Sequence, residues 1–198
     1  MKIPKRPGTI RDRIKRYERD LRKEKKLFGA FDDSSGTRYL LVPYYVLLGE
    51  WRGAVKSNKW FEKNFPNDVG DPFQFICATL AYYKTDDQTN AARLLQKTMF
   101  SNLYLVPRLL GQELEPLDVD PYSNTETAAY LDYAPPEYWD LWDEEALAWI
   151  GETYESESFV QMRERYIELE KQLKDEPVGP TRSALVEEKS KLVYGTSE

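Results

Sequence analysis

A chain of 198 residues with no histidine, one cysteine and a formal net charge of −6 is long enough for one domain with a real core, yet it carries no side chain that ordinarily titrates near neutrality. Ser-His-Asp and Cys-His pairs and His-rich metal sites are thereby excluded, and Cys77 has no internal disulfide partner. Carboxylate-only chemistry survives, as in paired-acid glycosidases or acidic magnesium sites, but no spacing here is specific evidence for it. No catalytic residue, metal ligand or cofactor is expected. With no signal peptide and no run of eighteen apolar residues, the chain reads as a cytoplasmic protein without a membrane span.

The charge is unevenly placed. Residues 1–26 hold twelve Lys or Arg against four Asp or Glu, so a basic start faces an acidic remainder. Within it Ile10, Ile14, Tyr17 and Leu21 recur at spacings of four, three and four, with Phe28 seven further on. The spacing predicts a helix from about Thr9, stopped by Gly29, with one apolar seam. On one reading the seam packs on the rest of the chain and the arginines stay solvated or pair with acids. On the other the helix is an arm for phosphate backbones or an acidic protein. No aromatic interleaving or recognition motif points to nucleic acid specifically.

Asp32 to Gly36 is a polar loop with good cap residues, and Thr37 to Leu48 reads as a helix. Pro43 lies inside it and predicts a kink or a late start. Trp51 to Phe65 is the next helix, ended by Pro66-Asn67-Asp68. Pro72 suits the first turn of a helix running to Tyr83, and Cys77 in that apolar run reads as a small buried hydrophobe. Asp87 to Ser101 follows as a further helix.

In register, Gly49-Glu50-Trp51-Arg52-Gly53-Ala54-Val55, Phe65-Pro66-Asn67-Asp68, Ala78-Thr79-Leu80-Ala81-Tyr82-Tyr83-Lys84 and Asn90-Ala91-Ala92-Arg93-Leu94-Leu95 resemble the tetratricopeptide pattern. That pattern has a small residue at a tight turn, an alanine where helices touch, an aromatic ending the second helix, then proline. A short hairpin cannot bury its apolar face alone, so it stacks on the next, and small residues mark the closest approach. Ala54 and Ala91 take equivalent positions 37 residues apart, against a usual repeat of about 34, and Val69-Gly70-Asp71 accounts for the insertion. The chain departs from the pattern in placing Trp51 after the first turn and Thr85-Asp86-Asp87 where a glycine turn is usual. Tyr39-Leu40-Leu41-Val42-Pro43 and Leu47-Leu48-Gly49-Glu50 recur as Tyr104-Leu105-Val106-Pro107 and Leu109-Leu110-Gly111-Gln112, which suggests a degenerate third repeat from about Leu103. The resemblance implies a right-handed solenoid whose first helices line a concave binding face, with Arg38, Tyr45, Gln74 and Arg108 as contacts. The cationic clamp of some members is not convincingly present: Lys56, Asn58, Lys59, Asn90 and Arg93 fall on second helices.

From Leu109 to Met162 there are fourteen Asp or Glu and no Lys or Arg, along with Tyr122, Tyr130, Tyr133, Tyr138, Trp139, Trp142, Trp149 and Tyr154. Leu114 to Asn124 reads as a long ordered loop, followed by short helices at Thr125 to Tyr133 and about Pro136 to Tyr154. Trp139, Trp142, Ala146 and Trp149 form an inward stripe on one reading, with the carboxylates solvated. On the other, Trp139, Asp140, Trp142 and Asp143 belong to an acidic, aromatic surface for a basic partner, of which the chain's own N-terminal helix is one. Val106-Pro107, Leu109-Leu110-Gly111, Ala128-Ala129 and Ala146-Leu147-Ala148-Trp149 resemble the C-terminal part of uncharacterised bacterial tetratricopeptide-like proteins, a likeness that implies no activity.

Phe159, Met162, Tyr166, Leu169 and Leu173, at spacings of three, four, three and four, predict a helix from about Glu157 to Lys174. Its seam of about two heptads is short for an independent coiled coil, so it is expected to pack on the body or on the N-terminal helix. Pro177-Val178-Gly179-Pro180 breaks the chain before a last, exposed helix from Thr181 to Val193. The sequence thus predicts an all-α protein: a basic helix over 1–29, tetratricopeptide-like stacked hairpins over 30–155, and C-terminal helices over 156–198. The expected function is a non-catalytic scaffold or adaptor that binds another protein or peptide, monomeric or homodimeric. Two alternatives stand beside it, an acidic inhibitor that masks a basic partner and nucleic-acid binding through the N-terminal helix.

Overall fold

The computed structural model describes residues 3–31 and 33–195; Lys2 of the basic segment and Asp32 of the polar loop lie outside the described residues. Among the described residues the chain forms ten α-helices, two 3-10 turns and no strand, and none of the helices is long and apolar enough to cross a membrane.

Helix α1 (Pro7–Phe28) opens on a proline, whose missing N–H is no loss at a first turn, and closes where the Gly29 N–H donates to the Lys25 carbonyl. Its seam residues Ile10, Ile14 and Leu21 are buried, and the helix packs on α2 (Thr37–Leu47), with Tyr17 and Tyr44 stacked at 6.0 Å between ring centroids. The seam ends sooner than its spacing suggests: Phe28 is 71% exposed. α2 itself starts at Thr37 and continues through Pro43, so the helix does not start late. The Asp33 carboxylate accepts the Thr37 and Arg38 N–H groups at 2.8 and 2.7 Å, which fixes the first turn from outside, and burial of the Pro43 side chain holds the middle.

The hairpins α2–α3 (Trp51–Asn64) and α4 (Pro72–Tyr83)–α5 (Gln88–Ser101) stack around α4. Every residue from Pro72 to Tyr82 is buried, including Cys77, and the Asp71 carboxylate caps α4 by accepting the Phe73 and Gln74 N–H groups. Ala54 and Ala91 have no exposed surface. At Gly53 a Cβ would lie 2.6 Å from the Tyr45 ring, so only glycine permits that approach of α2 to α3. The turns match in detail. Glu50 donates its N–H to the Tyr45 carbonyl and Asp87 to the Tyr82 carbonyl, both at 3.0 Å. Successive helices in hairpin packing give a helical-repeat arrangement.

The degenerate repeat expected from about Leu103 does not form a helical hairpin. α6 (Leu105–Leu109) has five residues, after which the chain runs irregularly past Pro116 and Pro121 to 3-10 turns at Asn124–Glu126 and Ala128–Tyr133. The helix expected from Pro136 to Tyr154 is divided into α7 (Pro136–Trp139) and α8 (Glu144–Tyr154), because Asp143 leaves the helical path to cap α8, accepting the Ala146 N–H at 3.0 Å. α9 (Glu157–Asp175) packs on α5 and α8 rather than on α1, with Tyr166 against Phe100. α10 (Pro180–Tyr194) lies along α9 and has no buried residue. Two core clusters result, one running from α1 across to α9 and the other between the hairpins, and Trp142 and Trp149 touch both.

Candidate interaction surfaces

The face that stacked hairpins would leave open for a ligand is filled from within. α1 covers α2, where the Tyr45 hydroxyl donates to Glu18 at 2.8 Å and Arg13 donates to the Tyr44 hydroxyl at 3.1 Å. Over α4, Phe73 meets Tyr130, Tyr138 and Trp139, and the Tyr130 hydroxyl donates to Asp71 at 2.5 Å. Burial, then the facing carboxylates, raise the phenols of Tyr45 and Tyr130 above their ordinary range, so both remain hydrogen donors.

The residues singled out for this face sit accordingly. Gln74 is wholly buried and presents nothing to a partner. Arg38 ties the start of α2 to the loop before α4: it donates to Asp68 at 2.7 Å and to Asp33 at 3.2 Å and lies over the rings of Tyr39 and Phe65. Although burial opposes its ionisation, hydrogen bonds from Tyr39, the Gly70 amide and Arg38 hold Asp68 below the usual carboxylate range. Tyr45 is half-buried against α1.

The structure does bring Arg108 and Trp139 together. The guanidinium lies 5.7 Å from the indole and pairs with Asp132 at 3.0 Å. Trp139 and Trp142 are both half-buried against the cores, the inward placement of the tryptophan stripe. Asp140 is exposed. Asp143 is tied to Lys84 at the end of α4 as well as to its own cap.

What stays outside is charge. Thirteen of the fourteen carboxylates from 109 to 162 are exposed, Glu126 being half-buried. Among the described residues only Asp118, Asp132, Asp143 and Glu155 pair with a cation, namely Lys174, Arg108, Lys84 and Arg163. Among the described residues no cation of α1 pairs with a carboxylate of this region. The links of α1 to other elements include Arg11 with Glu50, Lys25 with Asn64 and the two tyrosine hydroxyl contacts of α2. The face of α1 opposite its seam presents Arg11, Lys15, Arg16, Arg19, Arg22, Lys23 and Lys26, broken only by Asp12, over roughly 22 Å at 1.5 Å per residue.

One arrangement had little sequence signal. Glu170 is a buried carboxylate on α9, paired with Lys189 of α10, and the Lys189 ammonium lies over the rings of Tyr122 and Tyr166. The only trace in the sequence is a glutamate one helical turn after Tyr166, beside Leu169 of the seam. Among the described residues no group of three or more Cys, Asp or Glu is placed to hold a metal ion. Compared with family models, curated proteins and solved structures, the chain matches none.

Proposed function

We propose that this chain is a non-catalytic protein-interaction scaffold of the tetratricopeptide-like class, and that it engages a basic protein through its 109–162 surface. The observation that carries the reading is the set of ten exposed or half-exposed carboxylates in that segment without a cation partner among the described residues, while the most basic helix docks elsewhere. Like charges held together on a folded surface repel one another, and they speed encounter with an opposite charge. The repeated turn geometry at Tyr45 and Tyr82 and the buried Ala54 and Ala91 support the class. The filled inner face moves the binding surface outward, from the first helices to the acidic segment. The absence of histidine supports a non-catalytic role.

The test is affinity capture from a lysate of the encoding organism, at low and high salt and with and without nuclease. The native chain is compared with a variant carrying Glu113→Lys, Glu115→Lys, Asp140→Lys and Glu152→Lys. A basic protein that survives nuclease but is lost at high salt and by the variant is the expected result, since exposed charges are screened beyond about 8–10 Å. Retention that nuclease abolishes, and that instead depends on Lys15, Arg19, Lys23 and Lys26, would replace this reading with nucleic-acid binding through α1.

A further inference from the structure

We propose that the pocket between α9 and the loop before α7 recognises an alkylammonium group, a lysine side chain of a basic partner protein, and that Lys189 of α10 holds the mouth of this pocket in the free chain.

Glu170 lies at the edge of this pocket. Its side chain is 6% exposed, and a carboxylate so far removed from water requires a cation or several hydrogen bonds. The cation present is Lys189, whose ammonium also lies 4.3 Å from the centroid of the Tyr122 ring and 5.4 Å from that of Tyr166. Two aromatic faces beside a buried carboxylate form a setting suited to an ammonium group, because the ring quadrupoles attract positive charge where water is thin. The chain's own lysine shows that such a group fits.

Glu170 and Tyr166 also border a cavity of about 120 Å³, whose wall carries two further carboxylates, Asp120 and Glu126, and no Lys or Arg. Asn102, a buried amide in the same wall, bonds to the Thr125 and Thr127 carbonyls and accepts the Tyr104 N–H, so the loop is held in place. The cavity wall thus carries three carboxylates, Asp120, Glu126 and Glu170, and no cation of its own, a lining that favours a cation.

The helix that delivers Lys189 is lightly held. α10 has no buried residue; Leu192 and Val193 pack half-buried against the core, and the further polar links of the helix among the described residues are the exposed pair Arg165–Glu188 at 2.6 Å and the Arg182 guanidinium on the carbonyls of Leu173 and Glu176. Tyr122 is 61% exposed, which leaves one side of the box open to an incoming chain. Lys189 competes with a partner's lysine for Glu170, so the apparent affinity falls by the fraction of molecules in which the box is free.

The proposal rests on the reading of the 109–162 segment as a surface for a basic protein, since Asp120, Tyr122 and Glu126 lie in it. Its test uses the full chain and an acetylated, amidated glycine-serine peptide bearing four lysines, titrated by calorimetry. Lys189→Met removes the ammonium and keeps the apolar stem. The variant is expected to bind the peptide about ten-fold more tightly than the native chain, as for a site about nine-tenths closed. Adding Tyr122→Leu, at an exposed position, is expected to abolish that gain, and the peptide with acetylated lysines is expected not to bind. In the native chain, peptide binding is expected to speed hydrogen exchange across Pro180–Tyr194, a readout that stands even if Lys189→Met destabilises the fold around Glu170. Equal affinity of native and Lys189→Met chains with no change in α10 exchange would overturn the proposal, as would a gain that survives Tyr122→Leu. Spermidine binding as tightly as the peptide would overturn the assignment to a protein lysine. Failure of these tests with the salt-sensitive capture through the acidic surface intact would remove the pocket alone; failure of both would remove the surface reading as well.

Discussion

Gly49 and Asp86 hold the same left-handed position in successive hairpin turns, with φ of 66° and 61°, and the residue after each donates its N–H to a tyrosine carbonyl at 3.0 Å. The turn is therefore built twice, once with the residue suited to it and once with aspartate, which enters this region more readily than most side chains. Gly49→Ala is expected to lower stability by about 1–2 kcal/mol, and Asp86→Gly to raise it by up to about 1 kcal/mol, the gain being limited by the larger entropy of unfolded glycine. Urea unfolding of both variants checks this. A neutral Gly49→Ala would mean that the turn relaxes to another geometry.

Asp68 and Asp71 lie three residues apart and respond to pH in opposite senses. Burial opposes the ionisation of both. At Asp68 the hydrogen bonds from Tyr39, the Gly70 amide and Arg38 overcome it and depress the pKa, whereas at Asp71 burial prevails over the bonds from Tyr130 and the α4 amides and raises it. A depressed carboxylate contributes stability that is present above the unfolded value of about 3.9 and is lost as pH falls through the folded value. A raised one contributes stability that is present below about 3.9 and is lost as pH rises through the folded value. Asp68→Asn is thus expected to cost about 2 kcal/mol at pH 7 and to approach the native chain in acid. Asp71→Asn keeps a cap acceptor and removes the buried charge, so it is expected to be at least as stable as the native chain at pH 7 and to lose that advantage at pH 3. Denaturant titrations at the two pH values decide it; a destabilised Asp71→Asn at pH 7 would show that the charged form is the one the site holds.

Trp142 and Asp140 separate packing from surface charge within one short segment. Trp142 touches both core clusters, and truncation to alanine is expected to cost about 3 kcal/mol. Asp140 is exposed, and Asp140→Ala is expected to change stability by less than about 0.5 kcal/mol. Thermal melts of the two variants test the assignment, and a Trp142→Ala chain that melts with the native one would return that tryptophan to the binding surface.

The spans of α1, α3, α4, α5 and α9 were legible in the sequence to within a few residues because their signals are local. Ile10, Ile14 and Leu21 repeat with the helical period, Pro7 and Pro72 sit where a first turn tolerates them, and Asp71 and Asp87 are caps. The break at Asp140 to Asp143 was hidden because the apolar stripe runs straight across it, and only the capping bond of Asp143 ends the pattern. The span of α2 was also read from the sequence, but not that its first turn is fixed by Asp33, outside the helix.

Composition determined the scarcity of acid–base chemistry and the total charge in each segment, both of which are sums over residues. The pattern determined which faces are apolar. Only the tertiary structure decided what covers them: α1 lies on α2, where it confines Tyr45, and the aromatic loop lies on α4. It likewise decided that Glu170 and Lys189, on different helices, share one buried contact, while among the described residues the acidic segment and the basic stripe of α1 form no ion pair. The physical reason is that burial and charge pairing depend on distances between elements remote in sequence. Periodicity says which side of a helix avoids water, and packing says which neighbour excludes it.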